Sequence, residues 1–334
     1  MKRRQLGQNG PHISEVGIGA MSFTNFYGNT DESRSHSVLH EALNIGINHI
    51  DTSNVYGMGK SETVIGNFLS KQGAQKHDLF VIATKAAITR DKKTGERSFN
   101  NTKGHLTAEL EGSLKRLGLD CIDLFYIHRR DPSIQIEEVT ETLADLVRVG
   151  KIKQFGFSEI APSSLRRAQK IHPIAAIQSE YSLAVRSPEL GLVQTTSELN
   201  ASLVAFSPVA RGLLTDTPHT QKAIEKMDFL KQIPRFQPPN LATNIKITNQ
   251  FRTLAAEMGV ASASLAIAWV LRQSSNVITI PGTRSPQHLI ELAKGSEINL
   301  SESDMLNIEK TLPIGWAHGD RYSVDQWVGP ERYC

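Results

Sequence analysis

Short apolar runs alternate along the chain with longer segments whose apolar residues recur at helical spacing. Apolar runs of about four to eight residues bounded by polar or turn-forming residues are typical of buried strands. The pattern predicts strands at residues 16–19, 47–51, 79–85, 122–128, 154–158, 175–179, 203–207 and 277–281. Helical periodicity predicts helices at residues 33–45, 105–117, 136–149 and 286–294. Thr107 and Pro286 are expected near helix starts, and Asn9-Gly10 predicts a two-residue hairpin turn.

Eight strands alternating with helices within 334 residues match the size of a (β/α)₈ barrel. A doubly wound sheet also alternates strands and helices, and it is the competing fold. The barrel is favoured because no composition shift divides the chain and because polar residues recur at the predicted strand ends. These residues are Asp51, Lys85, His128, Ser158, Gln178 and Ser207. Barrel enzymes place their chemistry at such a ring of strand ends, although each residue alone could simply cap or turn the chain.

We therefore predict a single (β/α)₈ TIM barrel over residues 1–334, with an N-terminal β-hairpin and a C-terminal tail that packs over the barrel. The stretch 208–244 is long and rich in Pro, Gly and polar residues. A loop of that length is functional, disordered, or contains further elements.

Composition narrows the class of protein. The net charge is +3, and acidic and basic residues are interspersed, so no nucleic acid or membrane partner is expected. Lys2-Arg3-Arg4 precedes no signal-peptide core, and the longest apolar stretch, 261–271, is too short to span a bilayer. Cys121 and Cys334 form neither a disulfide framework nor a metal-binding pattern. A cytoplasmic protein without a metal is the expectation, and no stripe of residues predicts an oligomer.

Two glycine motifs fail as nucleotide-binding signatures. In a dinucleotide fingerprint beginning at Gly17, the third glycine would fall at Ser22. A phosphate loop ending in Gly59-Lys60-Ser61 would need a glycine where Asn54 stands.

A candidate acid–base cluster is formed by Asp51, Tyr56, Lys85 and His128. A tyrosine hydroxyl, with a pKa of about 10, is a weak proton donor to an alkoxide-like oxygen. A neighbouring ammonium favours the phenolate, so Lys85 is expected to lower the pKa of Tyr56. Asp51 would keep Lys85 charged, and a neutral His128 would orient a substrate oxygen. Side chains supply no hydride, so the cluster implies a nicotinamide.

The motifs around these residues resemble the aldo-keto reductase family. "IDTSNVYGMGKSE" is similar to the signature around the family's Asp and Tyr, "ATK" to its lysine strand and "IDLFYIH" to its histidine strand. "GKIKQFGFSE", "IQSEYSL", "AFSPVARGLL" and "IPGTRS" follow in family order, so that the resemblance covers about residues 6–312. "GIGAMSFTNFYG", "IHRRDP" and "PRFQPPNLATN" resemble the branch of pyridoxal reductases and related carbonyl reductases.

The resemblance implies a barrel that binds NADP(H) without a Rossmann motif, with Tyr56 as general acid. Its implied cofactor contacts fall into three groups. Ser158 and Gln178 would bind the nicotinamide carboxamide, and Tyr181 would stack on its ring. The pyrophosphate would lie along Ser207, Gly212 and Leu213. The 2′-phosphate and adenine would be surrounded by Gly282, Thr283, Arg284 and Glu291.

Some positions depart from the family pattern. His288 and Leu292 stand where relatives often carry other residues, which affects the expected adenine contacts. Ala184 stands where many relatives carry Trp, so a roomier pocket is expected if this position lines it. Candidate pocket walls are Asn25, Phe26, Tyr27, Arg129, Trp316 and Trp327.

The function implied is NADPH-dependent reduction of aldehydes or ketones to alcohols, acting on a small-molecule carbonyl substrate. The alternatives are a partner resembling potassium-channel β subunits and an NADPH-binding redox sensor with negligible turnover. The channel partner is less expected because no extended N-terminal segment precedes the predicted barrel.

Overall fold

The computed structural model describes residues 1–90 and 94–333, so Cys334 lies outside the described residues. Its strands are β1 (Arg3–Gln5), β2 (His12–Ser14), β3 (Ile18–Gly19), β4 (His49–Asp51), β5 (Val81–Ala86), β6 (Ile88–Arg90), β7 (Arg97–Phe99), β8 (Ile122–Ile127), β9 (Ile152–Ser158), β10 (Ala176–Glu180), β11 (Ser202–Phe206) and β12 (Val277–Thr279). Its α-helices are α1 (Glu32–Asn44), α2 (Lys60–Ser70), α3 (Lys103–Leu117), α4 (Ile136–Arg148), α5 (Pro162–Gln169), α6 (Leu192–Glu198), α7 (Gln221–Ile224), α8 (Asn240–Glu257), α9 (Ser262–Arg272), α10 (Pro286–Lys294) and α11 (Glu302–Thr311).

Eight strands form one parallel sheet in the order β12-β11-β10-β9-β8-β5-β4-β3. Hydrogen bonds between its first and last members close the sheet, since Gly17 N donates to Thr279 O at 2.8 Å and Gly19 N donates to Pro281 O at 3.0 Å. These eight strands are the eight that the apolar runs predict, with ends shifted by a few residues. The predicted (β/α)₈ barrel is confirmed.

Side chains alternate between the inside and the outside of the barrel, as the strand period of two requires. On β8, Leu124 and Tyr126 join the interior cluster, whereas Phe125 and Ile127 join the larger core between the sheet and the helices. The interior cluster therefore fills the barrel, and the outer core binds the helices to it.

The N-terminal hairpin forms, but not with a two-residue turn. Gln5 pairs with His12, and Leu6 N donates to Pro11 O at 3.0 Å, so the connection spans residues 7–10. Gly7 takes a positive φ of +63° there, and a Cβ on it would meet the Ala175 backbone at 2.8 Å. Close packing of the hairpin on the barrel thus decides the turn, and the local Asn9-Gly10 preference does not.

Two helix starts differ in their fit to the predictions. Helix α10 begins at Pro286 after Ser285, whose side chain accepts a hydrogen bond from His288 N. Helix α3 begins earlier than expected, because Thr102 rather than Thr107 is its cap and accepts from His105 N. The long stretch 208–244 contains α7, several 3₁₀ turns and the start of α8, which are elements that the sequence pattern did not separate.

The C-terminal tail crosses the mouth of the barrel, as predicted. Trp316 Nε1 donates to Leu183 O at 2.8 Å, and Glu331 N donates to Glu159 O at 2.8 Å. Among the described residues, no single helix has the length and hydropathy needed to cross a membrane, although α8 and α9 meet that test as a pair bent by 89°.

Candidate active site

A buried ion pair joins two adjacent strands at the mouth of the barrel. Asp51 is the last residue of β4, and its carboxylate pairs with the ammonium of Lys85 on β5. Lys85 Nζ also donates to Thr52 O at 2.7 Å, and Gln178 Nε2 donates to the second Asp51 oxygen at 2.7 Å. Both charges have hydrogen-bond partners besides each other, which a buried pair requires if desolvation is not to outweigh attraction.

The loop after β4 brings Tyr56 over this pair. The Lys85 ammonium lies 5.2 Å from the centroid of the Tyr56 ring, and the Tyr56 and His128 rings lie 5.8 Å apart at 84°. Gly57 and Gly59 take positive φ values of +61° and +89°, which only glycine adopts without strain, and Lys60 then starts α2. The structure therefore brings together Asp51, Tyr56, Lys85 and His128.

Burial sets the protonation states of the cluster. Burial, and after it the charge of Asp51, raises the pKa of Tyr56, which is the opposite of the lowering expected from Lys85 alone. Burial likewise lowers the pKa of Lys85, although the Asp51 charge opposes this shift. Tyr56 is therefore a neutral phenol at neutral pH, and this form has a proton to give.

His128 is neutral at the same pH. Burial lowers its pKa well below the usual value, and the charges of Arg129, Lys85 and Arg97 lower it further. Its Nδ1 contacts Ser53 Oγ at 3.1 Å, which leaves Nε2 as the ring nitrogen for a substrate oxygen.

One cleft of about 2220 Å³ runs along the mouth of the barrel past this cluster. It is lined by most of the residues predicted to form the site: Asp51, Tyr56, His128, Ser158, Gln178, Ser207, Gly212, Gly282, Thr283, Arg284 and Glu291. Lys85 is fully buried and does not line the cleft, but its ammonium lies against Tyr56 and Asp51, which do. Within residues 1–90 and 94–333, no group of three His, Cys, Asp or Glu side chains could hold a metal ion.

Known proteins resemble this chain over most of its length. The sequence model that describes the aldo/keto reductase family matches residues 15–313 of this chain. The chain is 32% identical over 322 residues to aldo-keto reductase yakc [NADP(+)] of Schizosaccharomyces pombe, covering 96% of this chain and 94% of that protein. It is 35% identical over 328 residues to aldo-keto reductase str7 of Strobilurus tenacellus, covering 95% and 94%.

The chain belongs to the aldo/keto reductase family. Among solved structures, it resembles the glycerol dehydrogenase AKR11B4 from Gluconobacter oxydans with a TM-score of 0.80, 28% identity and coverage of 93% and 94%. The similarity extends over nearly the whole of each chain.

Tyr181 does not take the place in this aldo/keto reductase that the sequence predicts for it. Its side chain is fully buried, donates to Glu189 Oε1 at 3.0 Å and packs edge-to-face on Trp269 at 5.8 Å. It therefore lies in the outer core and cannot stack on a ligand in the cleft. Phe206, at the end of β11, is the aromatic residue that lines the cleft next to Ser207.

Leu213, which was expected along the pyrophosphate, is also buried in the outer core and does not line the cleft. Of the expected pocket walls, Phe26, Tyr27 and Arg129 line the cleft. The others among the described residues do not: Asn25, Ala184, Trp316 and Trp327. The Ala184 position therefore gives no reason to expect a roomier pocket.

The far end of the cleft is rich in unpaired positive charge. Arg284 and Arg34 both line it, and neither forms an ion pair within the described part of the chain. Burial, and after it the charge of Arg34, lowers the pKa of Arg284. Two guanidinium groups that form no ion pair suit a dianionic phosphate. Sequence patterns did not reveal Arg34, because α1 carries it to the cleft from a distant part of the chain.

The loop after β11 is shaped to approach a ligand with its backbone. Ser207, Ala210 and Arg211 have positive φ values of +52°, +49° and +55°, and Gly212 has +97°. Non-glycine residues rarely adopt this conformation, and it concentrates at functional sites. The loop and the arginine end of the cleft together fit an extended dinucleotide phosphate.

Proposed function

We propose that this aldo/keto reductase catalyses NADPH-dependent reduction of an aldehyde or ketone to an alcohol. The observation that carries the proposal is the placement of Tyr56, Asp51 and His128 in the wall of a cleft whose far end suits a phosphate, with Lys85 buried against Asp51 and Tyr56. Bound NADPH would supply a hydride to the carbonyl carbon. Tyr56 would donate its phenolic proton to the carbonyl oxygen, while His128 Nε2 would hold that oxygen in place.

Lys85 and Asp51 act through Tyr56. As negative charge leaves the substrate oxygen and develops on the Tyr56 oxygen, the nearby ammonium of Lys85 stabilises the phenolate. Asp51 keeps that ammonium charged despite its burial, and Gln178 holds Asp51 in position.

The hydrogen bonds within the site leave complementary groups for a nicotinamide carboxamide. Gln178 uses its amide nitrogen on Asp51, so its Oε1 can accept from a ligand amide. Ser158 Oγ accepts from Arg129 at 3.0 Å, so its hydroxyl hydrogen can be donated. Ser207 and Gly212 would lie along the pyrophosphate. The 2′-phosphate and adenine would lie among Gly282, Thr283, Arg284, Glu291 and Arg34, which supports NADP(H) over NAD(H).

The test is NADPH oxidation followed by absorbance with a panel of aldehydes that includes 4-nitrobenzaldehyde, pyridoxal, aliphatic aldehydes and sugar aldehydes. Turnover of at least one aldehyde, with Tyr56→Phe as the background, is expected. Tight NADPH binding without turnover of any aldehyde would contradict the proposal and favour a redox sensor. Pyridoxal turnover would support membership of the pyridoxal reductase branch.

A further inference from the structure

Arg129 is a buried arginine in the cleft wall that forms no ion pair with a carboxylate of the described residues, although its charge acts on the pKa of the nearby Glu159. It follows His128 directly, its residue is only 7% exposed, and it lines the cleft. Among the ion pairs of residues 1–90 and 94–333, none contains Arg129. The nearby Arg211 and Arg321 contrast with it, because both pair with buried glutamates, Glu180 and Glu159.

Hydrogen bonds within the protein satisfy one side of the Arg129 guanidinium and leave the other side nearly without partners. Its Nη1 donates to His128 O at 2.6 Å and to Ser158 Oγ at 3.0 Å. Its Nη2 makes only a long contact of 3.4 Å to the Tyr322 hydroxyl, and its Nε has no hydrogen-bond partner in the described residues. Nε and Nη2 form the edge of a guanidinium that binds a carboxylate through two parallel hydrogen bonds.

The surroundings of Arg129 add to its positive charge. Burial, and after it the charge of Arg129, lowers the pKa of Arg97 to about 10. Arg97 also lines the cleft and lies in no ion pair among the described residues. Among the described residues, Lys85 also lowers the pKa of His128, but Asp51 neutralises the charge of Lys85. The site therefore holds unbalanced positive charge beside the imidazole that would orient the carbonyl.

We propose that the substrate carries a carboxylate, which the Nε–Nη2 edge of Arg129 binds while His128 and Tyr56 hold the carbonyl. The proposal rests on the carbonyl reduction proposed above and specifies its substrate class. The incoming carboxylate takes the place of the Tyr322 hydroxyl on this edge, and Arg97 adds attraction from the side of the β6–β7 hairpin. Arg129 is then a residue that determines specificity, whereas Arg284 and Arg34 serve the phosphate end of the cleft.

The first experiment compares 4-carboxybenzaldehyde with its methyl ester, and likewise the 3- and 2-isomers, in the presence of saturating NADPH. For at least one isomer, kcat/KM is expected to be about tenfold or more higher for the acid, because hydrogen bonds to charged groups are the strong ones. The preference should shrink as salt is added. The ester group activates the aldehyde more than the carboxylate does, so ring electronics cannot produce this result. Equal or better reduction of the ester for every isomer would overturn the proposal.

The second experiment assigns the preference to Arg129. In Arg129→Gln, the acid-to-ester ratio of kcat/KM should fall about tenfold, whereas Arg129→Lys should keep part of it through charge alone. A fall in kcat/KM of equal size for the acid and the ester would reflect the loss of the hydrogen bonds that Arg129 Nη1 makes to His128 and Ser158. Arg130→Gln is the matched control, since Arg130 pairs with Glu331, and it should keep the wild-type ratio. An unchanged ratio in Arg129→Gln, or an equal fall in Arg130→Gln, would overturn the assignment.

A third experiment uses only the wild-type protein, so it does not require that any variant folds. Benzoate should inhibit reduction of 4-nitrobenzaldehyde by the NADPH-bound enzyme at concentrations about tenfold or more lower than benzamide. Equal inhibition would overturn the carboxylate proposal while leaving carbonyl reduction intact. No turnover of any aldehyde would refute carbonyl reduction itself, so the two failures are distinguishable.

Discussion

At the floor of the barrel, Leu6 and Ile13 of the hairpin pack on Leu124, Val204 and Ile278, and all five side chains are apolar and buried. The mouth has buried charges instead, including the Asp51–Lys85 pair and a network that links Glu159 and Glu180 to Arg321 and Arg211.

The floor and the mouth of the barrel therefore serve different purposes, the floor mainly stability and the mouth mainly the proposed chemistry. Apolar burial at the floor stabilises the fold without directional demands. Each charge at the mouth costs desolvation energy that only well-placed partners offset, so the mouth contributes less to stability than its number of bonds suggests. The proposed chemistry needs the Asp51–Lys85 pair at this end. Substitutions at the two ends should therefore have separable effects.

The largest effect is expected at the mouth. Lys85→Met should lower kcat/KM by about 100-fold or more, because Tyr56 loses the cation that stabilises its phenolate. It should also destabilise the protein by about 3–5 kcal/mol, since Asp51 is left buried without its cation. Adding Asp51→Asn should restore much of the stability without restoring activity. Steady-state kinetics and urea unfolding measure the two quantities, and recovered activity in the double variant would contradict the assigned roles.

Leu6→Ala tests the floor. It should lower the free energy of unfolding by about 2–5 kcal/mol through lost burial and the resulting cavity. The folded protein should keep its kcat, because the floor lies far from the mouth. Leu306→Ala is the matched control at a 69% exposed leucine and should change stability by less than about 0.5 kcal/mol. A large fall in the kcat of folded Leu6→Ala would show that the two ends are coupled.

The buried glutamates of the mouth, Glu159 and Glu180, should make the stability of the protein depend on pH in the acid range. Burial alone would raise the pKa of Glu159, but the charge and hydrogen bond of Arg321, together with the charge of Arg129, hold it below the ordinary value. Arg211, followed by Arg321, does the same for Glu180. Carboxyls with a lowered folded pKa stabilise above their unfolded pKa, about 4.3, and this stability is lost as pH falls through the folded value.

Thermal unfolding should therefore show a fall in Tm below about pH 4.3. In Arg321→Met, the protein should be less stable at neutral pH and should lose less stability between neutral pH and acid than the wild type. Parallel curves for the two proteins would show that this network does not control acid stability.

The smallest effect concerns His128. Its lowered pKa keeps the imidazole neutral throughout the neutral range, so its titration should change kcat/KM by less than about twofold between pH 6.5 and 8. A pH profile of kcat/KM is the measurement. A step near pH 6.5 that is absent in His128→Gln would contradict the neutral state.

Apolar runs and the polar residues that end them are local properties, which is why the eight strands and Asp51, Lys85 and His128 were predictable from sequence. The error at Tyr181 was avoidable by strand parity. Side chains alternate across a strand, so a residue three positions after the cleft-lining Gln178 points away from it. Phe206 lies two positions after the interior Val204 and so points inward.

Other features could not be predicted because they depend on distant parts of the chain meeting. Arg34 arrives on α1, Arg97 on the β6–β7 hairpin and Tyr322 on the tail. The raised pKa of Tyr56 is likewise a consequence of burial, which sequence neighbours do not reveal.

The central claim is that Tyr56, set above Lys85, protonates the carbonyl oxygen during hydride transfer. Stopped-flow measurement of NADPH consumption with 4-nitrobenzaldehyde in wild type and Tyr56→Phe tests it most directly, with NADPH affinity measured by fluorescence titration. The account predicts a rate about 100-fold or more lower in Tyr56→Phe with NADPH affinity changed by less than about threefold. Equal rates of NADPH consumption in the two proteins would contradict it.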